Sequence, residues 1–421
     1  MSAPEPSRAL RTAWIVVALL WPVALLNYLD RQMLATMKTS MVGDIAGITS
    51  DAQWGFVLAS FKWVYAVLSP VGGYIADRFS RRHVIAVSLF VWSLVTWLTG
   101  HVTTYNELVA SRALMGVSEA FYIPAALALI SDFHLGPTRS RAVGLHQTGI
   151  YIGLILGGFA GHVADSPSHG WRWAFSAAGL VGIVYAFPLF WFLRNPERPA
   201  DAASASLTPA RAASALFGNR NFLLLVLYFT LPAIAGWVIK DWMPVILKEQ
   251  FKLSQGEAGV IAVLYVQIAT IGGALLGGWL ADRWMRRTER GRIYVSAIGM
   301  SLFLPALLGL GNPGTVTFAI LFLILFGIGW GFFDCNNMPI LCQITRPELR
   351  ATGYGIMNLV SISCGGFGDW GFGVLKTQGV SLTLIFGCFT AVALLSLAIV
   401  LLIRPARDPS PSGCGKRESG L

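Results

Sequence analysis

Polar sequence in this chain is confined to short intervals between apolar runs long enough to cross a bilayer. About 20 predominantly apolar residues span the hydrocarbon core as a helix. Twelve such runs are present, at 12–38, 52–76, 83–99, 105–133, 142–164, 171–193, 221–244, 255–281, 292–310, 315–341, 351–374 and 381–403. The chain is therefore expected to be an all-α multi-pass membrane protein of twelve transmembrane helices. Only 12% of its 421 residues are Asp, Glu, Lys or Arg, against roughly 25% in soluble proteins. That excludes a soluble enzyme, a disordered chain and a disulfide scaffold. The first run is too long for a cleaved leader, and no small-residue cleavage site follows it.

The excess of basic residues, a net charge of +10, reports orientation rather than a nucleic-acid partner. With the N-terminus inside, 22 of the 31 Lys and Arg fall in cytoplasmic segments. Both termini are thus expected in the cytoplasm, in a cell membrane of bacterial type. The longest interior polar stretch divides six runs from six. The expected organisation is a six-helix bundle over 1–193, a cytoplasmic linker over 194–219, a second bundle over 220–403 and a tail over 404–421. Five cysteines, odd in number and without a CxxC pair, read as small core residues, so no disulfide framework, metal or cofactor is expected.

The two halves echo each other. Residues 72–82 read Gly-Gly-Tyr-Ile-Ala-Asp-Arg-Phe-Ser-Arg-Arg, and residues 277–287 read Gly-Gly-Trp-Leu-Ala-Asp-Arg-Trp-Met-Arg-Arg, 205 positions later. A weaker echo pairs Pro137, Arg141, Ala142 and Gly144 with Pro347, Arg350, Ala351 and Gly353. Matching hairpins in two halves are the mark of parallel transporter repeats. Here the chain resembles the major facilitator superfamily, whose signature Gly-x-x-x-Asp-Arg-x-Gly-Arg-Arg/Lys follows the second span. Gly73, Asp77, Arg78, Arg81 and Arg82 match it, as do Gly278, Asp282, Arg283, Arg286 and Arg287, with Ser80 and Met285 replacing the second glycine. The resemblance implies two six-helix bundles related by a parallel pseudo-two-fold. It also implies a gating role for Asp77, Arg78, Arg81, Arg82, Asp282 and Arg283.

Ionisable residues inside spans cost roughly 2.5–3.5 kcal/mol on insertion scales and mark functional positions. Asp30 and Arg31 in span one, Lys62 in span two, and Arg112 and Glu119 in span four all belong to the first half. Arg112 and Glu119 are seven residues apart, on one helical face but separated by about 10 Å along the axis. Their partners must come from other helices. Asp30, Arg31, Arg112 and Lys62 fall at similar depths and can converge on one cavity. The segment Asn27-Tyr28-Leu29-Asp30-Arg31, with Arg112 and Glu119, resembles the anion:cation symporter family and, nearly as well, spinster-like transporters. The resemblance implies proton-carrying roles for Asp30 and Glu119 and electrostatic roles for Arg31 and Arg112. Lys62 departs from the symporter pattern and is expected to add positive charge to the site.

Span five carries His146, Gln147 and Tyr151, with Gly149, Gly153, Gly157 and Gly161 at four-residue spacing. That glycine stripe reads as close helix packing. Gln147 and Asn358 resemble polar substrate contacts of the symporters, Asn336 and Asn337 are further candidates, and Tyr28 and Tyr65 suit stacking on a ring. Asp334-Cys-Asn-Asn-Met-Pro339 interrupts span ten, where Pro339 is expected to kink the helix. Gly309-x-Gly311-x-x-Gly314 matches a dinucleotide fingerprint by spacing alone and follows no strand. No catalytic constellation is present, so no enzyme is expected. The expected function is proton-coupled transport of a small organic anion, a sugar acid, by a monomer. The alternatives are a spinster-like carrier of anionic lysolipids, a sugar-phosphate exchanger and a non-transporting membrane sensor.

Overall fold

The computed structural model describes residues 6–134, 138–195, 209–346 and 349–405. The first half contains α1 (Pro6–Thr36), α2 (Lys38–Asp44), α3 (Asp51–Arg78), α4 (Arg81–Thr99), α5 (Tyr105–Glu119), α6 (Tyr122–Phe133), α7 (Arg139–Ala164) and α8 (Gly170–Phe192). A short α9 (Pro209–Phe217) leads into the second half. There α10 (Arg220–Phe251), α11 (Gln255–Met285), α12 (Gly291–Gly311), α13 (Val316–Ile344), α14 (Arg350–Thr377) and α15 (Leu382–Leu402) complete the chain. Pro137, Pro347, residues 196–208 of the linker and the tail from 406 onward lie outside the described residues.

Helix packing follows the sequence repeat. In the first half α1 packs on α7, α4 on α8, and α3 on α5. In the second, α10 packs on α14, α12 on α15, and α11 on α13, which is the same set of neighbours one repeat later. The halves meet through α3 against α14 and α7 against α11, two contacts that a pseudo-two-fold exchanges. The caps repeat as well: the Ser50 hydroxyl accepts from Gln53 N, and the Ser254 hydroxyl from Glu257 N, closing the first turn of α3 and of α11. Α9 is a helical part of the linker, and its Leu216 is buried against the second half.

Eleven of the twelve expected spans are long and apolar enough to cross a membrane. The twelfth, α14, has the length at 28 residues but carries Asn358, Ser361, Ser363 and Asp369. It can do so because it packs on α3 and α10, turning those groups toward protein. The outer faces are apolar: Val181, Val184 and Trp191 on α8 and Leu384, Leu394 and Leu395 on α15 are all more than half exposed. Exposed aliphatic and aromatic faces of this kind suit contact with lipid tails.

One span is broken where none was expected to be. Span four stops as α5 at Glu119 and restarts as α6 at Tyr122. Pro124 explains it: proline has no N–H for the Ala120 carbonyl, and its ring crowds that carbonyl. The freed backbone packs on Gly72 of α3, where an added Cβ would fall 2.5 Å from the Ala120 oxygen. Span ten shows the reverse. Pro339 was the expected interruption, yet α13 runs unbroken from Val316 to Ile344.

Candidate functional site

A cavity of about 810 Å³ lies between the halves. We call the side carrying the chain ends the near side and the opposite side the far side. From Arg31 and Lys240 deep in the protein, the cavity wall extends toward the near side as far as Ser69, Ala128 and Thr352. Aromatic and aliphatic groups such as Phe229, Trp330, Leu127 and Ile362 make up much of it. Polar groups are placed among them: Gln32, Gln147 and the Tyr28, Tyr65 and Tyr151 hydroxyls on the first half, Gln267, Asn358, Ser361 and the carboxylate of Asp334 on the second. Predominantly apolar lining with a few oriented polar groups is the usual form of a small-molecule site.

Arg31 is the best-held charge on this wall. Its Nε donates to Glu119 Oε2 at 2.6 Å, with Nη2 at 2.5 Å from the same oxygen. The guanidinium also lies 4.7–4.9 Å from the ring centres of Tyr28, Phe61 and Tyr65. Glu119 is fully buried, at the last residue before the break in span four. Phe61 carries Arg112 on its ring too, at 4.7 Å, so one ring serves two guanidiniums. Arg112 Nη1 donates to Met115 Sδ at 2.8 Å, while its Nε has no partner. Asp30 accepts from Thr96 Oγ1 at 3.0 Å through Oδ2, and its Oδ1 has no partner. Two buried carboxylates, the buried Arg112 guanidinium and that of Arg31 at the cavity wall thus cluster with incomplete hydrogen bonding, an arrangement that stabilises folds poorly.

Lys62 has a different place from the one expected. It does not line the large cavity; its ammonium is held by Asp241 of α10 and Asp369 of α14. Both carboxylates belong to the second half, so Lys62 ties the halves together and adds no free charge to the site. Other ties lie farther out. Lys376 Nζ of the second half bonds Asp51 Oδ2 of the first at 2.7 Å, with Lys38 on the same Asp51 and Glu249 Oε2 2.8 Å from the same Lys376 within their own halves. Gln255 Nε2 donates to Ser40 Oγ at 2.8 Å, and Gly256 N to Asp165 Oδ2 at 2.9 Å. Glycines allow the contact: a Cβ on Gly373 would fall 2.3 Å from the Asp51 carbonyl oxygen. These hydrogen bonds and ion pairs joining the halves lie between mid-membrane and the far side. The far side is closed in this conformation.

Of the residues expected at the site, Tyr28, Arg31, Tyr65, Gln147 and Asn358 line the large cavity. Arg112 and Lys62 border only a small adjoining void of about 30 Å³. Asp30, Glu119, Asn336 and Asn337 are buried behind the wall. On the near side, Arg81 pairs with Asp132 of its own half, and Arg82 Nη1 donates to the Leu193 carbonyl at 3.4 Å. Arg78 and Asp282 are exposed at helix ends, and Arg283 lies 5.8 Å from the Trp279 ring. The Asp77 side chain lies outside the described residues. Lys240, Asp241 and Asp369 lie near the ends of the apolar runs 221–244 and 351–374, where hydropathy places them at span edges. Their position inside 32- and 28-residue helices was the available signal, because helices of that length extend well past the hydrocarbon core and place such residues deeper than a hydropathy edge suggests.

The profile of the Major Facilitator Superfamily matches residues 20–368. Protein spinster of Drosophila melanogaster is 29% identical over 387 residues, covering 87% of this chain but 63% of that protein. The probable L-galactonate transporter of Escherichia coli (strain K12) is 26% identical over 435 residues, covering 96% of this chain and 92% of that one. Among solved structures, a bacterial homologue of the human lysosomal transporter Spinster, inward-facing and unoccupied, aligns with a TM-score of 0.76 at 19% identity, covering 95% of both chains. A D-xylose-proton symporter aligns with a TM-score of 0.73 at 16% identity, covering 93% and 98%. With the profile spanning most of its length and the same fold throughout, this multi-pass integral membrane chain belongs to the major facilitator superfamily of transporters.

Proposed function

We propose that the protein is a proton-coupled carrier of a small organic anion, a sugar acid, working by alternating access. The observation that carries this reading is the Arg31–Glu119 pair, buried at the wall of a cavity between two bundles. While Glu119 is ionised it occupies Arg31. Once Glu119 is protonated, the guanidinium is free for an anion, so proton and substrate binding become linked equilibria. Asp30, one residue from Arg31 and with an unpartnered oxygen, is a second proton acceptor. Gln147 and Asn358, on opposite halves of the wall, suit the hydroxyls of a polyol chain. The far-side ties through Lys62 hold the inward-open conformation, and the two bundles rock about the site when they part. The 26% identity to a probable L-galactonate transporter supports the substrate class. The basic residues of the near-side loops support a cytoplasmic near side in a bacterial inner membrane.

The second reading is a carrier of anionic lysolipids, favoured by the aromatic and aliphatic wall and by 29% identity to a spinster protein. Proteoliposomes distinguish the two. An inwardly directed proton gradient should drive accumulation of L-galactonate. Accumulation of a lysophospholipid in its place would favour the second reading, and accumulation of neither would remove both.

A further inference from the structure

Two cations reach the wall of the large cavity, Arg31 and Lys240, and only one of them is already spoken for. Arg31 has Glu119 and three aromatic rings. Lys240, on α10 of the second half, makes no ion pair among the described residues. The carboxylate beside it in sequence, Asp241, is engaged by Lys62. The Lys240 ammonium rests 4.6 Å from the centre of the Trp237 ring, one helical turn earlier. A half-buried cation over an indole face is steadied in direction, and no hydrogen bond uses its donors among the described residues. The same ring holds Lys62 at 4.4 Å, so one indole contacts both the cavity cation and the cation that ties the halves together.

We propose that Lys240 is the residue of the second half that binds the anionic group of the substrate. The proposal rests on the organic-anion reading above and says where the charge docks. Lys240 offers three donors to a carboxylate or phosphate from the cavity wall; Asp334 of α13 lines the same cavity but forms no ion pair with it. Gln32, whose Nε2 donates to the Lys240 carbonyl at 3.4 Å, brings the first half against the same turn of α10. Gln267, Asn358 and Ser361 on the second half remain for the rest of the molecule. The anion would thus sit one residue from the Lys62–Asp241 contact. Substrate on Lys240 and closure on the far side therefore involve the same turn of one helix.

The test uses purified full-length protein, with L-galactonate and oleoyl lysophosphatidic acid as separate probes. Lys240→Met keeps the stem on Trp237 and removes the charge. Charge-assisted hydrogen bonds of this kind are worth a loss of about ten- to a hundredfold in affinity. We expect that loss for whichever probe the wild-type protein binds, with an unchanged melting temperature, and recovery of most of it in Lys240→Arg. Unchanged affinity in Lys240→Met would overturn the proposal. So would lost stability that Asp334→Asn restores, since Lys240 would then be the counter-ion of Asp334 across the cavity. If Lys240→Met and Lys240→Gln both fail to fold, the lysine is structural and the proposal is also overturned. Wild-type protein that binds neither probe removes the organic-anion reading itself, a failure visible before any variant is compared.

Discussion

Asp369 is fully buried and Lys62 nearly so, and the lysine reaches a second carboxylate on another helix. Breaking a buried ion pair by removing one partner typically costs about 3–5 kcal/mol, because the remaining charge stays desolvated. Here the cost falls on the far-closed conformation alone, since the carboxylates regain water when the halves part. Lys62→Met should therefore lower the melting temperature and raise labelling of a cysteine placed at the far end of α14. Lys62→Met combined with Asp369→Asn should recover part of the loss. Labelling that stays at the wild-type rate would show that the contact does not hold the far side shut. Lys62 was legible in the sequence as a charge where lipid should be. Its partners were not, because they lie 179 and 307 residues away, and no local periodicity reports a pairing made across two bundles. The same is true of Arg31 and Glu119, 88 residues apart, although the seven-residue spacing from Arg112 did require partners on another helix.

The glycines of α7 work on two faces. Gly149 and Gly153 sit against the Trp21 and Leu25 carbonyls of α1, with Gly157 against Leu29 and Gln32 one turn farther. Gly158 and Gly161 sit against Gly259 and Gln255 of α11. The first face packs within a half, and the second closes the far side between halves. Gly161 was read as part of the first stripe by spacing, but belongs to the second. Gly153→Ala would place a Cβ 2.2 Å from the Leu25 oxygen. Overpacking of that kind costs about 1–3 kcal/mol, seen as a lower melting temperature without a change in which side is open. Gly158→Leu should act differently, by propping α7 away from α11. It should shift the population toward a far-open state, measured by spectroscopic distances between labels on the far ends of α7 and α11. Equal distances in variant and wild type would assign that contact no part in closure. Span positions were legible from hydropathy because each apolar run must cover the same bilayer thickness. The break at Ala120 was not: residues 105–133 remain long and apolar across it. Pro124 was its signal, while Pro339 in α13 gave the same signal without a break.

At the scale of the molecule, the repeat seen at residues 72–82 and 277–287 reappears as a repeated set of helix contacts. The interface uses the helices that a two-fold exchanges, α3 with α14 and α7 with α11. Chemistry does not share that symmetry. The buried Asp30, Arg31, Arg112 and Glu119 cluster lies wholly in the first half, and the second half supplies Lys240, Asp334 and neutral hydrogen-bonding groups. In the proposed mechanism the first half therefore carries the titrating carboxylates, and both halves offer groups to the substrate across the cavity between them. This division is the central claim, and Glu119 tests it most directly. Glu119→Gln mimics the protonated carboxyl and keeps its shape, so it removes titration while leaving Arg31 in place. In proteoliposomes, exchange of internal for external L-galactonate should persist, because exchange does not require the empty carrier to release its proton. Accumulation driven by a proton gradient should be abolished. Driven accumulation at the wild-type level in Glu119→Gln would contradict the account.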